Sequence, residues 1–149
     1  MKQSRSKRMQ PVAHHAEQNE QDAVRIFVEA QKVLQASEQQ LQQLLTYRGE
    51  YKQQLVDQQR QSISMRRMRD YQIFIDNLGV TIESAHLEVE AKKKICDEKK
   101  QLWLACRSRS HALNSVVEKY QLEEFRHKEH LEQKEQDEHA QRVSLKSKK

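Results

Sequence analysis

Turn-forming residues are almost missing from this chain: two glycines and one proline serve 149 residues. That scarcity excludes the many tight reversals of a sheet or of a layered enzyme fold. Aromatic residues make up only 5%, and no apolar run approaches the roughly eighteen residues of a bilayer-spanning helix, so direct membrane insertion is not expected. The basic start MKQSRSKRMQ is not followed by an apolar signal segment, which leaves the cytoplasm as the expected compartment. Cys96 and Cys106 fall on one expected helix, roughly 15 Å apart along its axis, too far for a disulfide within the chain. Catalysis and cofactors are not expected either. There is no Gly-rich phosphate loop, and no Ser, Cys or His has neighbours that would activate a nucleophile. His127 and His130 with Glu123 and Glu124 put ligand atoms on one helix, but a single helix seldom closes a zinc site, and the adjacent His14 and His15 point about 100° apart.

What the chain does have is charge, at 33% of residues, and apolar side chains spaced for helices. Pro11 suits a first helical turn, so helix 1 is expected over about 11–58. Within it Ile26, Ala30, Leu34, Leu41, Leu45 and Leu55 recur at steps that make up a heptad seam, together with Ala16, Ala23 and Ser37. The pattern fades in DQQRQSISMRRMRD, where Ser62 or Ser64 can cap a new helix, so a turn is expected over about 59–66. Helix 2, about 67–141, resumes the spacing with Tyr71, Ile75, Ile82, Val89, Trp103 and Leu113, and later with Leu131. The fold class is all-α: a long antiparallel two-helix coiled coil, a hairpin whose second helix is the longer. Residues 11–142 form its single domain, between a flexible basic N-terminus at 1–10 and a flexible basic tail at 143–149. A reversal near residue 63 sets Tyr51 beside Ile75, Leu44 beside Ile82 and Ala23 near Trp103. The hairpin closes its own seam, so a monomer is expected.

The stretch DYQIFIDNL at 70–78 carries more apolar surface than such a seam absorbs. Leu44, Tyr47 and Tyr51 widen the stripe of helix 1, and Phe74 and Leu78 widen that of helix 2 in the same rotational direction. Like flanks of an antiparallel pair share a side, so the two surpluses merge into one patch, and an exposed apolar patch marks a partner site.

Charge is uneven along the chain, which has a formal net charge of +5. Lys2, Arg5, Lys7 and Arg8 crowd the start, and Arg60, Arg66, Arg67 and Arg69 form a second basic knot. Residues 118–138 are mostly acidic before Arg142, Lys146, Lys148 and Lys149. The basic run Lys92, Lys93, Lys94, Lys99 and Lys100 is interleaved with Glu88, Glu90, Asp97 and Glu98, which argues against nucleic acid as a partner. A basic coiled-coil nucleic-acid-binding protein and a structural rod are nevertheless the alternative readings that composition leaves open.

LLTYRGEY at 44–51, DYQIFIDNL at 70–78, Ile82, the single Trp103 and KEQDEHAQR at 134–142 resemble, in order and spacing, the FliJ family of the flagellar type III export apparatus. The resemblance covers nearly the whole chain from about residue 12. It implies a hairpin similar to the central stalk subunit of rotary ATPases, binding the export ATPase hexamer, a membrane export gate subunit and export chaperones. It also implies a cytoplasmic protein peripherally associated with the inner membrane at the flagellar base. The family's gate-binding face maps onto Gln40, Leu44, Tyr47, Tyr51, Phe74 and Leu78. Thr81 and Ala85 depart from that family's pattern, with His86 one position away. By the stalk analogy the basic N-terminus and the overhang from about residue 113 enter the ATPase ring.

Overall fold

Helix formers dominate the sequence between Arg5 and Ser147, and helix is what forms. The computed structural model describes residues 3–148, with α1 at Arg5–Arg60 and α2, the longer, at Met65–Ser147. They pack against each other as an antiparallel hairpin, and no strand occurs among the described residues. Contacts divide the chain into two compact units, Ala23–Trp103 and Met1–Asp22 with Leu104–Lys149.

The reversal needs no glycine. The amides of Gln61 and Ser62 donate to the carbonyls of Gln58 and Gln59 at 3.0 and 3.3 Å, tightening the last turn of α1. Ser62 then takes a left-handed backbone with φ of 63°, the conformation usually left to glycine at a helix end. Ser64 restarts the helix: its hydroxyl accepts from the Arg67 amide at 3.2 Å and its carbonyl from the Met68 amide at 3.0 Å. The turn proper is therefore 61–64, shorter than the 59–66 expected.

In the unit Ala23–Trp103, α1 contributes mostly small or half-covered residues to the seam. Ala23 and Ser37 are buried, while Phe27, Ala30, Leu34, Leu41, Leu44, Leu45, Tyr51 and Leu55 are half-buried. From α2 come Ile75, Ile82, Ala85, Val89 and Cys96, all buried, with Tyr71, Leu78 and Trp103 half-buried. Ile26 is a correction: it is 47% exposed, and its neighbour Phe27 holds the seam, with its ring stacked on Trp103 at 5.6 Å and 11° between planes. From Ala23 the seam steps by four and then three, where counting through Ile26 assumed three and then four. Ring stacking across the seam selects that phase. Lys92 and Lys99, which interrupt the apolar pattern, are half-buried at seam positions, as long aliphatic stems allow.

In the other unit the seam is built from still smaller groups. Ser6, Ala13 and Ala16 of α1 and Ser110 and Val117 of α2 are buried, and such side chains let two helices approach closely. Leu113 is half-buried. The helix begins at Arg5, earlier than the start near 11, because the first turn has other means of satisfying its amides. The Ser4 hydroxyl accepts from the Lys7 amide at 3.4 Å, the Ser4 carbonyl accepts from the Arg8 amide at 3.1 Å, and Glu124 takes the Ser6 amide. Pro11 lies inside α1. Its missing N–H removes the helical bond that the Lys7 carbonyl would otherwise accept. The helical span thus covers most of the basic N-terminal segment, and α2 runs on to Ser147 where 141 was expected. Residues 1–2 and 149 of the expected tails lie outside the described residues.

Two outcomes are expected in urea unfolding. Ile82→Ala, which empties a buried seam position, should cost about 2–4 kcal/mol, while Ile26→Ala should cost under about 0.5 kcal/mol. Ser62→Gly should raise stability by about 0.5–1 kcal/mol by relieving the left-handed serine.

Candidate functional site

On α1 the seam rows reach Leu44 and Tyr51, and Tyr47 lies between them on the flank; on α2 Leu78 is a seam residue and Phe74 lies one turn before it. Tyr47 stacks on Tyr51 at 6.4 Å, and Tyr51 meets Phe74 across the hairpin at 4.5 Å with the planes tilted by 48°. The result is a continuous three-ring cluster spanning both helices. Its outer members remain in solvent: Tyr47 is 55% and Phe74 43% exposed. Leu44, Tyr51 and Leu78 are half-buried and Gln40 is exposed beside them.

Sequence reasoning counted all five apolar residues as surplus. The structure divides them, because Leu44, Tyr51 and Leu78 occupy seam positions and only Tyr47 and Phe74 lie wholly outside the stripe. Tyr51 meets the Phe74 ring, one residue from the expected Ile75, which is buried. Of the neighbouring positions, Ala85 is buried in the seam, whereas Thr81 and His86 are exposed. The Thr81 hydroxyl donates to its own helix, at the Asn77 carbonyl, at 3.2 Å.

A second polar arrangement lies in the other unit. The Glu124 carboxylate accepts from the Ser6 amide at 3.0 Å and from the Ser6 hydroxyl at 2.6 Å. It thereby places negative charge at the positive end of α1. The Arg5 guanidinium sits 5.8 Å over the Tyr120 ring, and Asn114 donates to Glu17 at 2.9 Å. The Ser6 hydroxyl, then its amide, hold the Glu124 carboxyl below its ordinary value of 4.5. Glu124 is thus committed to Ser6, and among the described residues no group of three or more His, Cys, Asp and Glu is placed to hold a metal ion. Ser6, Ala13, Ser110 and Phe27 were missed from sequence; for Ser6 and Ala13 the recurrence of small residues at seven-residue steps was the available signal. Because Ser6 reaches Glu124, α2 is paired up to there, and the overhang begins after Glu124 instead of near 113. Every described residue from Phe125 onward is exposed, Leu131 at 46% among them, so Leu131 is not a seam residue.

The family model for the flagellar FliJ protein matches residues 5–149. This chain belongs to the FliJ family. Two curated relatives, the flagellar FliJ proteins of Salmonella typhi and of Escherichia coli K12, are each 28% identical over 130 residues, covering 87% of this chain and 88% of theirs. No solved structure matches it. Among the described residues of this FliJ-family chain, no helix is long and apolar enough to cross a membrane.

The Ser6 contact has a pH signature. Since Glu124 titrates lower when folded than when unfolded, its contribution is present above the unfolded value and is lost as pH falls through the lowered folded value. Protection of the amides at residues 5–10, taken as the exchange rate relative to the intrinsic rate at the same pH, should therefore fall on acidification below the ordinary carboxylate range, and Glu124→Ala should show the lower protection already at pH 7.

Proposed function

We propose that the chain is a component of the flagellar protein export apparatus, working as a stalk-like adaptor with no catalytic activity of its own. In this reading it binds the export ATPase and promotes its assembly, couples it to the membrane export gate subunit and escorts export chaperones. It does so in the cytoplasm, associated peripherally with the inner membrane at the flagellar base. The observation that carries the gate contact is the ring cluster of Tyr47, Tyr51 and Phe74, whose outer rings are exposed beside Gln40, Leu44 and Leu78. Half-exposed aromatic rings on a rigid helical support present large apolar area with little side-chain entropy to lose, as interface anchors do. Family membership supplies the flagellar setting. The helix beyond Glu124 is the natural segment to enter an ATPase ring, since every described residue there is exposed.

The acids interleaved with Lys92–Lys100 weigh against the alternative of a nucleic-acid-binding coiled coil, because carboxylates set among the lysines weaken their attraction to a phosphate backbone.

Pull-down of the purified chain with the export ATPase and the soluble part of the gate subunit tests the assignment. Tyr51→Ala with Phe74→Ala should weaken gate binding at least about tenfold, the loss of one or two anchor side chains, while helicity by circular dichroism and ATPase binding persist. Unchanged gate binding would remove the patch from the reading.

A further inference from the structure

The bend of the hairpin carries a basic group to which the reading above gives no role. Residues 58–69 hold Arg60, Arg66, Arg67 and Arg69 and no acid, and all four arginines are exposed. Among the described residues none of the four is in an ion pair. The nearest acids flank the stretch. The Asp57 carboxylate accepts from Gln53 at 3.2 Å, one turn back from the bend, and Asp70 follows Arg69. The chain's other basic groups are diluted by carboxylates: Arg5 and Arg8 line a cleft with Glu123 and Glu124, and the lysines of 92–100 share their stretch with Asp97 and Glu98.

At 100° per residue Arg67 and Arg69 fall on opposite flanks of α2 and Arg66 on its outer side, while Arg60 lies on the outer side of α1. The charges therefore surround the end of the hairpin instead of lining one face. Apolar side chains sit among them. Met65 is 73% exposed, more than any other large apolar side chain among the described residues, and Ile63 in the turn is half-buried. A ring of cations around a convex, partly apolar end matches a flat anionic surface met end-on, which can take up the apolar groups as well as the charge. A nucleic-acid strand is tracked best by charges in a row along one side, and an exposed methionine adds nothing to phosphate binding. All four cations are guanidinium groups, whose paired N–H donors fit two oxygens of one phosphate.

We propose that the bend, from Arg60 to Arg69, is a contact site for an anionic phospholipid bilayer, with the guanidinium groups on lipid phosphates and Met65 among the headgroups. Four basic side chains in one cluster reach the number at which such segments hold to anionic lipid. The contact is peripheral, since among the described residues no helix is long and apolar enough to cross a membrane. The ring cluster of Tyr51 and Phe74 lies nearly three helical turns from the bend, roughly 15 Å from the surface, and stays uncovered. The site rests on charge and exposure at the bend, and it stands whether or not those rings bind a gate subunit.

Flotation of the full chain with vesicles tests this, using about one-third phosphatidylglycerol in phosphatidylcholine against phosphatidylcholine alone. The chain should rise with the anionic vesicles at about 50 mM salt, stay free of the neutral ones, and be released as salt approaches about 500 mM. Each basic side chain near such a surface is worth about fivefold, so Arg66→Gln with Arg67→Gln should weaken binding at least about tenfold. Met65→Ser should weaken it at least about threefold. Lys94→Gln with Lys100→Gln removes the same charge well beyond a Debye length from the bend and should leave binding within about twofold of wild type. Tyr51→Ala with Phe74→Ala should leave it equally unchanged, which separates this contact from that of the rings. No binding to anionic vesicles at low salt, an equal loss from the Lys94 and Lys100 pair, or indifference to Met65→Ser would each overturn the proposal. So would displacement from the vesicles by a single-stranded oligonucleotide at equal phosphate concentration, which would assign the bend to nucleic acid.

Discussion

One narrow seam between two helices bears the whole structure. A chain with a mean hydropathy of −1.06 cannot build a thick core. Its stability has to come from burying alternate threes and fours along one stripe, because isolated helices draw little from propensity alone. The seam is closed largely by small groups. Ala13, Ala16, Ala23, Ser37 and Ser110 are buried with Ile75, Ile82, Val89 and Val117, while the larger leucines and rings of the seam are only half-buried. Small residues bury little area each, so close approach of the backbones and contact along the length replace thickness.

The aromatic cluster is a consequence of the same seam and not an addition to it. At Leu44 and Tyr51 the stripe is occupied by side chains too large to be covered by one facing helix, and Tyr51 turns its ring onto Phe74. Tyr47 then stacks on the outside of Tyr51. The outer rings, Tyr47 and Phe74, thus stay partly in solvent on the formed hairpin. The opposite case is the far end of α2, where every described residue after Glu124 is exposed and the apolar Phe125 and Leu131 remain in solvent.

Several features were readable without coordinates. The scarcity of Gly and Pro and the heptad spacing indicated two long helices, and the fading of apolar residues after Val56 located the reversal. Tyr47 and Phe74 could be identified as exceeding the stripe. Other features could not be read. Ile26 and Phe27 are both apolar and adjacent, so periodicity tolerates either; stacking on Trp103 decides for Phe27. Pro11 signalled a helix start, yet Ser4 and Glu124 together satisfy an earlier first turn, and Glu124 is remote in sequence. Ser62 carries a left-handed backbone that residue type alone would have assigned to glycine.

The sequence by itself determined that the chain is helical, where it reverses, and which angular sector of each helix is apolar, because those properties depend only on local propensity and on the repeat of one helix about its own axis. The tertiary structure decided the phase of the seam at Phe27, the point where pairing ends at Glu124, and which rings stay outside. Each of these depends on what stands opposite a residue, and that is set only when the second helix has packed against the first.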